Sequence, residues 1–344
     1  MKEFIINENE AGQRFDKYLG KLLREAPKSF FYKMLRKKNI TLNGKKAQGN
    51  EKLETGDEIV FFLSDETYQK FAGKPDSSMQ LLKQAAHSPK SVPVLYEDEH
   101  LLFLNKPVGM LSQKSKPDDF SLNEYVITYL LQNGTLTEEE LTSFRPSICN
   151  RLDRNTSGIV AAGKTLKGLQ QLSEMFRSRT MEKYYLTIVS GQITEQTYIH
   201  GYLKKNEKNN KVTVKKTPFE DAMEIETAYR PLAHTANYTL LEVHLITGRT
   251  HQIRAHLASA GYPVIGDTKY GNQEINIQLK KKYHLTAQLL HAWRMHFPDT
   301  KEALCTEDVL SSLKGKTIYA PIPEKFNRII KGEGIRWEHG TQEG

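Results

Sequence analysis

Residues 150–165 read NRLDRNTSGIVAAGKT, and the fold turns on how this stretch is divided. Its second half fits the phosphate-loop pattern G-x-x-x-x-G-K-[ST] letter for letter, with Gly158, Gly163, Lys164 and Thr165 in place. Its first half sets a carboxylate, Asp153, between Arg151 and Arg154. A phosphate loop follows a buried apolar strand and opens a helix through a glycine-rich turn. Here the residues before Gly158 are polar, and the intervening positions are Ile159, Val160, Ala161 and Ala162. β-Branched residues stiffen the chain and favour a strand. GIVAAG is therefore expected to be a strand, Gly163 and Lys164 a turn out of it, and Thr165 the cap of the next helix. Asp153 then falls in the loop leading into the strand, where rigid elements commonly display chemistry. A neighbouring cation favours the ionised carboxylate. The local alternative is a structural ion pair or an Asx-turn with Asn155 and Thr156.

On either side the patterns alternate without regular βαβ order. LKGLQQLSEMF (166–176) carries Leu166, Leu169, Leu172 and Phe176 as one helical stripe. SLNEYVITYLLQ (121–132) reads as a helix capped by Ser121, and RTHQIRAHLASAG (249–261) as a helix ended by Gly261. LYEDEHLLFLNK, KYYLTIVSG, AMEIETAYR, YTLLEVHLIT and AQLLHAWRMHF are β-rich, and PEKFNRIIK reads as a closing helix. Long strands with interspersed helices predict an α+β domain with a mixed or antiparallel central sheet. At the N-terminus, RFDKYLGKLLR and a segment that Ser29 could cap, FFYKMLRKKN, read as helices. ITLNGKKA is strand, Asn-Gly turn, strand, and a further strand covers 59–63. This small α+β unit ends near residue 64, and the polar stretch to 92 reads as a linker with one small helix around MQLLKQAA. The boundaries expected are 1–75 for the small domain, 76–92 for the linker and 93–335 for the large domain.

The 344 residues suit two cores. A hydrophobic content of 38% and a charged content of 26% are those of a globular protein. No apolar run approaches the roughly 20 residues of a membrane span, so no membrane association is expected. MKEFIINENEAG has no apolar signal core. Two cysteines, Cys149 and Cys305, are too few for a disulfide framework, and a reducing cytoplasm is the natural compartment. Lysine and arginine number 49 against 41 acids, a net charge of +8. The excess is concentrated: 28–46 holds seven Lys/Arg and no acid, and 204–216 reads KKNEKNNKVTVKK. Such patches suit a polyanion, with a solvated basic face as the bland alternative. His244, His251 and His256 invite a metal, but there is no H-E-x-x-H, and five residues separate His251 from His256. No metal is expected.

NRLDRNTSG resembles the signature of the RluA family of RNA pseudouridine synthases, roughly H-R-L-D-x-x-T-S-G. Four further stretches match that family in order: YEDEHLLFLNKPVGMLSQ with its Lys-Pro-x-Gly turn, FRSRTMEKYYLTIVSG, LITGRTHQIRAHLASAGYPVIGDTKYG and LLHAWRMHFP. They span about 93–298. The departure is Asn150, where most members carry histidine. The N-terminal unit resembles the small RNA-binding module named after a ribosomal small-subunit protein, which many of these synthases carry.

The resemblance implies a cofactor-free reaction in which uridine within RNA becomes pseudouridine. The glycosidic bond breaks, the uracil turns and carbon 5 joins the sugar. It implies Asp153 as the catalytic carboxylate, Arg249 as the arginine paired with it, and Tyr184, after Lys183, as the aromatic that stacks on the flipped uracil. Tyr185 is the alternative, since neighbours in a strand face opposite sides. Arg151 either fills the gap left by the flipped base, contacts a phosphate or partners Asp153. Lys106 is expected to position its turn. The resemblance turns the basic patch of Lys33, Arg36, Lys37 and Lys38 into expected RNA contacts. The expected partner is RNA, foremost large-subunit ribosomal RNA, bound by a monomer. Transfer RNA is the alternative substrate, and a non-catalytic assembly factor the alternative class.

Overall fold

The computed structural model describes residues 1–72, 91–299 and 309–337. The segment MQLLKQAA and most of the expected linker lie outside the described residues. In the N-terminal part, β1 (Lys2–Ile5), β2 (Ile40–Leu42) and β3 (Glu58–Phe61) form a sheet in the order β1-β3-β2. Helices α1 (Phe15–Leu22) and α2 (Lys28–Arg36) pack their apolar faces into it through Phe15, Leu19, Phe31 and Leu35. The second helix starts at Lys28 after Pro27 rather than behind Ser29, because the fixed proline geometry suits a helix entry. A further helix, α3 (Asp65–Ala72), occupies part of what reads as linker. Its Tyr68 stacks on Phe4 at 6.3 Å, and its Phe71 packs at a tilt against Phe30 with ring centres 4.4 Å apart. Two aromatics in a polar octet are enough to dock it.

The larger part is built on an eleven-stranded sheet. In chain order it contains β4 (Val94–Glu97), β5 (Leu101–Lys106), α4 (Leu122–Gln132), α5 (Glu140–Ser143), β6 (Ser147–Ile148), β7 (Ser157–Gly163), α6 (Leu166–Ser178), β8 (Glu182–Ser190), β9 (Thr197–Asn206), β10 (Lys211–Lys215), β11 (Met223–His234), β12 (Tyr238–Leu245), α7 (Gln252–Ser259), α8 (Gln273–Tyr283), β13 (Leu290–His296), β14 (Thr317–Tyr319) and α9 (Glu324–Gly332). The strand order is β10-β9-β11-β12-β8-β13-β7-β5-β4, with β14 beside β13 and β6 beside β7. Among the described strands, β13 and β7 form the parallel join and the other pairs are antiparallel.

Period-two alternation sorts the side chains to two faces. Leu102, Leu104, Val160, Ala162, Tyr185, Leu241 and Val243 face α4 and α7 in one core. Leu101, Phe103, Ile159 and Ala161 face α6 on the other side, where Leu186, Ile188 and Leu240 face α8 and α9. The GIVAAG strand is thus buried on both faces. Lys164 is buried at its exit, where Nζ donates to Glu97 Oε1 and to the Asp98 carbonyl, each at 2.7 Å. That lysine is spent on an ion pair inside the protein and is not presented to a phosphate. Thr165 caps α6 by accepting from Gly168 N at 3.1 Å. Ser121 and Glu124 form the capping box of α4.

Candidate active site

Asp153 sits in the loop between β6 and β7, at the mouth of an open cavity of about 1130 Å³ on the α7 face of the sheet. The loop is fixed from below. Thr156 N donates to the Asp153 carbonyl at 3.0 Å, closing a turn. Ser112 Oγ donates to the Leu152 carbonyl at 2.8 Å. Lys106, fully buried, donates to the carbonyls of Pro107, Met110 and Arg154 at 3.0, 2.8 and 3.2 Å. Burial pulls its pKa down to about 7 against the opposing pull of Asp153. It positions the turn and the loop together, as expected. Asn150 takes the place of the family's histidine without loss of order. Its Nδ2 donates to the Ile159 carbonyl at 3.2 Å and its Oδ1 accepts from Ala161 N at 2.8 Å, so the amide pairs with β7 as a backbone group would. Gly158 has φ of 113°, and a Cβ there would run into the Ala292 carbonyl. Only glycine admits the parallel approach of β13 to β7.

The arginine paired with Asp153 is Arg254, not Arg249. Arg254 Nη1 donates to Asp153 Oδ2 at 2.7 Å, while Nε and Nη2 donate to both oxygens of Asp267 at 2.6 and 2.9 Å. The Arg254 and Asp267 side chains are 5% and 0% exposed, against 27% for that of Asp153. Burial alone would lower the guanidinium pKa; its bonds to Asp267 and Asp153 reverse this and raise it. Burial likewise opposes the charge of Asp267, but the Arg254 bonds hold its carboxyl below the usual range. Arg249 is exposed on the cavity rim, and its backbone N–H donates to Gln252 Oε1 at 3.0 Å. It precedes α7, in the bend made by left-handed His251 (φ 54°), so its side chain cannot follow the helix inward. Arg254 is buried with its helix neighbours Ile253, Ala255, His256 and Leu257, where a guanidinium needs a carboxylate partner; the sequence alone did not separate it from Arg249.

The tyrosine facing the cavity is Tyr185, not Tyr184. Tyr185 lies on the buried face of β8, and burial, then the Asp153 charge, raises its pKa, so its hydroxyl stays protonated. Tyr184 points to the opposite face. There it stacks on His244 at 4.7 Å under the Arg294 guanidinium, 3.5 Å from the ring centre. Arg151 is exposed and lines the cavity without an ion pair to Asp153. His251 Nε2 stands 3.8 Å from Asp153 Oδ2, and its Nδ1 meets the Tyr270 hydroxyl at 3.0 Å. His256 Nδ1 faces Thr227 Oγ1 at 3.0 Å. Among the described residues no three His, Cys, Asp or Glu side chains converge on one point, and no helix is long and apolar enough to cross a membrane. In the N-terminal part, Lys33, Arg36, Lys37 and Lys38 are all exposed, on the side of α2 and its C-cap away from Phe31, Met34 and Leu35.

Residues 100–259 match the sequence profile described as RNA pseudouridylate synthase. An RNA pseudouridine synthase of Mycoplasma genitalium is 31% identical over 322 residues, which cover 92% of this chain and 96% of that protein. The chain belongs to the RNA pseudouridylate synthase family. It is an isomerase acting on uridine in RNA. The ribosomal large subunit pseudouridine synthase C of Vibrio cholerae is 32% identical, with 86% of this chain and 88% of that protein covered. Its namesake in Escherichia coli is 31% identical, with 96% of each covered. Among solved structures, human RNA pseudouridylate synthase domain containing 4 shares the fold, with a TM-score of 0.57 at 19% identity over 76% of this chain and 99% of that one.

Proposed function

We propose that this enzyme isomerises specific uridines of large-subunit ribosomal RNA through Asp153. The observation that carries the reading is the composition of the cavity: Asp153 is its one carboxylate, beside ten lysines and arginines. A duplex-embedded uridine is out of reach of such a site, so the base leaves the stack at a cost of a few kcal/mol. Phosphates then meet the basic rim, including Arg151 and Arg249. The sugar meets Asp153, whose orientation Arg254 fixes through buried Asp267. Tyr185 supplies the aromatic wall for the flipped uracil. The N1–C1′ bond breaks, the C5–C1′ bond forms, carbon 5 loses a proton and N1 gains one, so no co-reactant is needed. Lys33, Arg36, Lys37 and Lys38 extend the phosphate contacts into the N-terminal part, which we take as a separate RNA-binding domain ahead of a linker and the catalytic domain. The enzyme acts as a monomer in the cytoplasm. The relatives named for the large ribosomal subunit, matched along nearly their whole length, support the choice of RNA. Mapping pseudouridines in ribosomal and transfer RNA from cells with and without the gene tests it. Sites lost from large-subunit RNA support the reading; sites lost only from transfer RNA redirect it.

A further inference from the structure

The cavity runs on from Asp153 past Tyr185 to the start of β8, where Arg179 and Lys183 line it. Lys183 is 8% exposed, yet its amine has no hydrogen-bond or ion-pair partner among the described residues. Burial lowers its pKa, and the charge of Arg179 lowers it further. The other buried amines are treated differently. Lys106 has three carbonyls and Lys164 has Glu97 and the Asp98 carbonyl. The Lys183 amine is left to the solvent of the cavity, with no counter-charge from the described residues. Here a second cation sits beside it, held at the C-cap of α6 in a left-handed conformation with φ of 59°. Two unopposed cations at the end of a cavity are complementary to an anion that arrives from outside.

The position of Lys183 says which anion. Lys183 and Tyr185 are two residues apart on one face of β8, so their Cα atoms lie about 6.5 Å apart along the strand. That is about one nucleotide step of RNA backbone. Lys183 comes two residues before Tyr185 at the start of β8 and lines the cavity together with Arg179 at the C-cap of α6. We propose that Lys183 and Arg179 form a subsite for the backbone phosphate adjoining the target uridine, which seats the flipped nucleotide with its sugar against Asp153. The subsite rests on the reading of the cavity as the RNA site.

The test compares wild type, Lys183→Met and Lys183→Arg on ribosomal RNA from cells lacking the enzyme. It reads single-turnover rate, affinity against salt, and thermal unfolding of the free protein. Lys183→Met should weaken binding about tenfold at low salt and flatten the log–log salt slope by about one contact. Lys183→Arg should restore both. The free Lys183→Met protein should unfold at the same or a higher temperature, because the amine has no hydrogen-bond or ion-pair partner for the change to break. A lysine that merely held the fold together would do the reverse. An RNA fragment carrying the mapped uridine, with a neutral methylphosphonate at the adjoining linkage, should cost wild type as much as Lys183→Met costs on normal RNA. Combining the two changes should add nothing. An unchanged slope and rate in Lys183→Met, a lowered unfolding temperature, or losses that add would overturn the subsite. Absent turnover by wild type on the full RNA pool would strike the isomerase reading first and the subsite with it.

Discussion

At the scale of single residues, tertiary packing decides between Tyr184 and Tyr185, which the sequence left open, and replaces Arg249, which the resemblance implied, by Arg254. Strand alternation requires Tyr184 and Tyr185 to face opposite sides, but nothing local says which side is the cavity. The apolar cluster under α4 and α7 decides it for Tyr185. Base–aromatic stacking is worth about 1–3 kcal/mol, so Tyr185→Leu should slow single-turnover pseudouridine formation at least tenfold, while Tyr184→Leu should leave it near wild type. Equal losses in the two variants would contradict the assignment. The arginines divide in the same way. Arg254→Ala strands two carboxylates, one fully buried, and should cost about 3–5 kcal/mol in urea unfolding together with activity. Arg249→Ala, on the rim, should unfold like wild type. The motif containing both was legible; which arginine turns inward depends on the helix starting at Gln252, three residues beyond the expected start.

At the scale of elements, β7 is the piece on which the site hangs. Its strand character was readable from Ile159 and Val160, as was the cap at Thr165, because these depend on neighbours in sequence. The insertion of β13 between β8 and β7 was not readable, since it joins residues about 130 positions apart in a parallel register, His291 opposite Ser157. The helix Asp65–Ala72 was missed because its docking depends on aromatic partners far away in sequence. Gly158 marks where β7 and β13 come closest. Gly158→Ala should lower the unfolding temperature by several degrees and reduce turnover with it, since the strain enters five residues from Asp153. A variant as stable and active as wild type would mean that β13 can move aside freely.

At the scale of the whole molecule, two buried histidines set an acid limit. Burial holds His291 and His256 down to about 4. His291 is locked between Ser157 Oγ at 2.9 Å and the Ala320 carbonyl at 3.3 Å. Below the ordinary histidine value near 6.5 the unfolded chain takes up protons that the folded one refuses. Stability is therefore full above that value and falls between roughly pH 6.5 and 4. Between pH 7 and 5 the loss should be on the order of 2 kcal/mol per histidine in urea titrations; a flat profile would show that both rings protonate in place. The concentrated charge of 28–46 and 204–216 suited a polyanion, and the structure adds a cavity whose ten lysines and arginines, of which only Lys205 belongs to those patches, surround one carboxylate. On this reading the carboxylate performs the chemistry while phosphate contacts hold the RNA. Asp153→Asn keeps the shape, can still accept from Arg254 and removes the charge. The decisive measurement is pseudouridine formation on unmodified total ribosomal RNA, paired with affinity for the same RNA at fixed salt. Turnover should fall below detection with binding retained or slightly tightened; turnover at the wild-type rate would mean that Asp153 does not perform the chemistry.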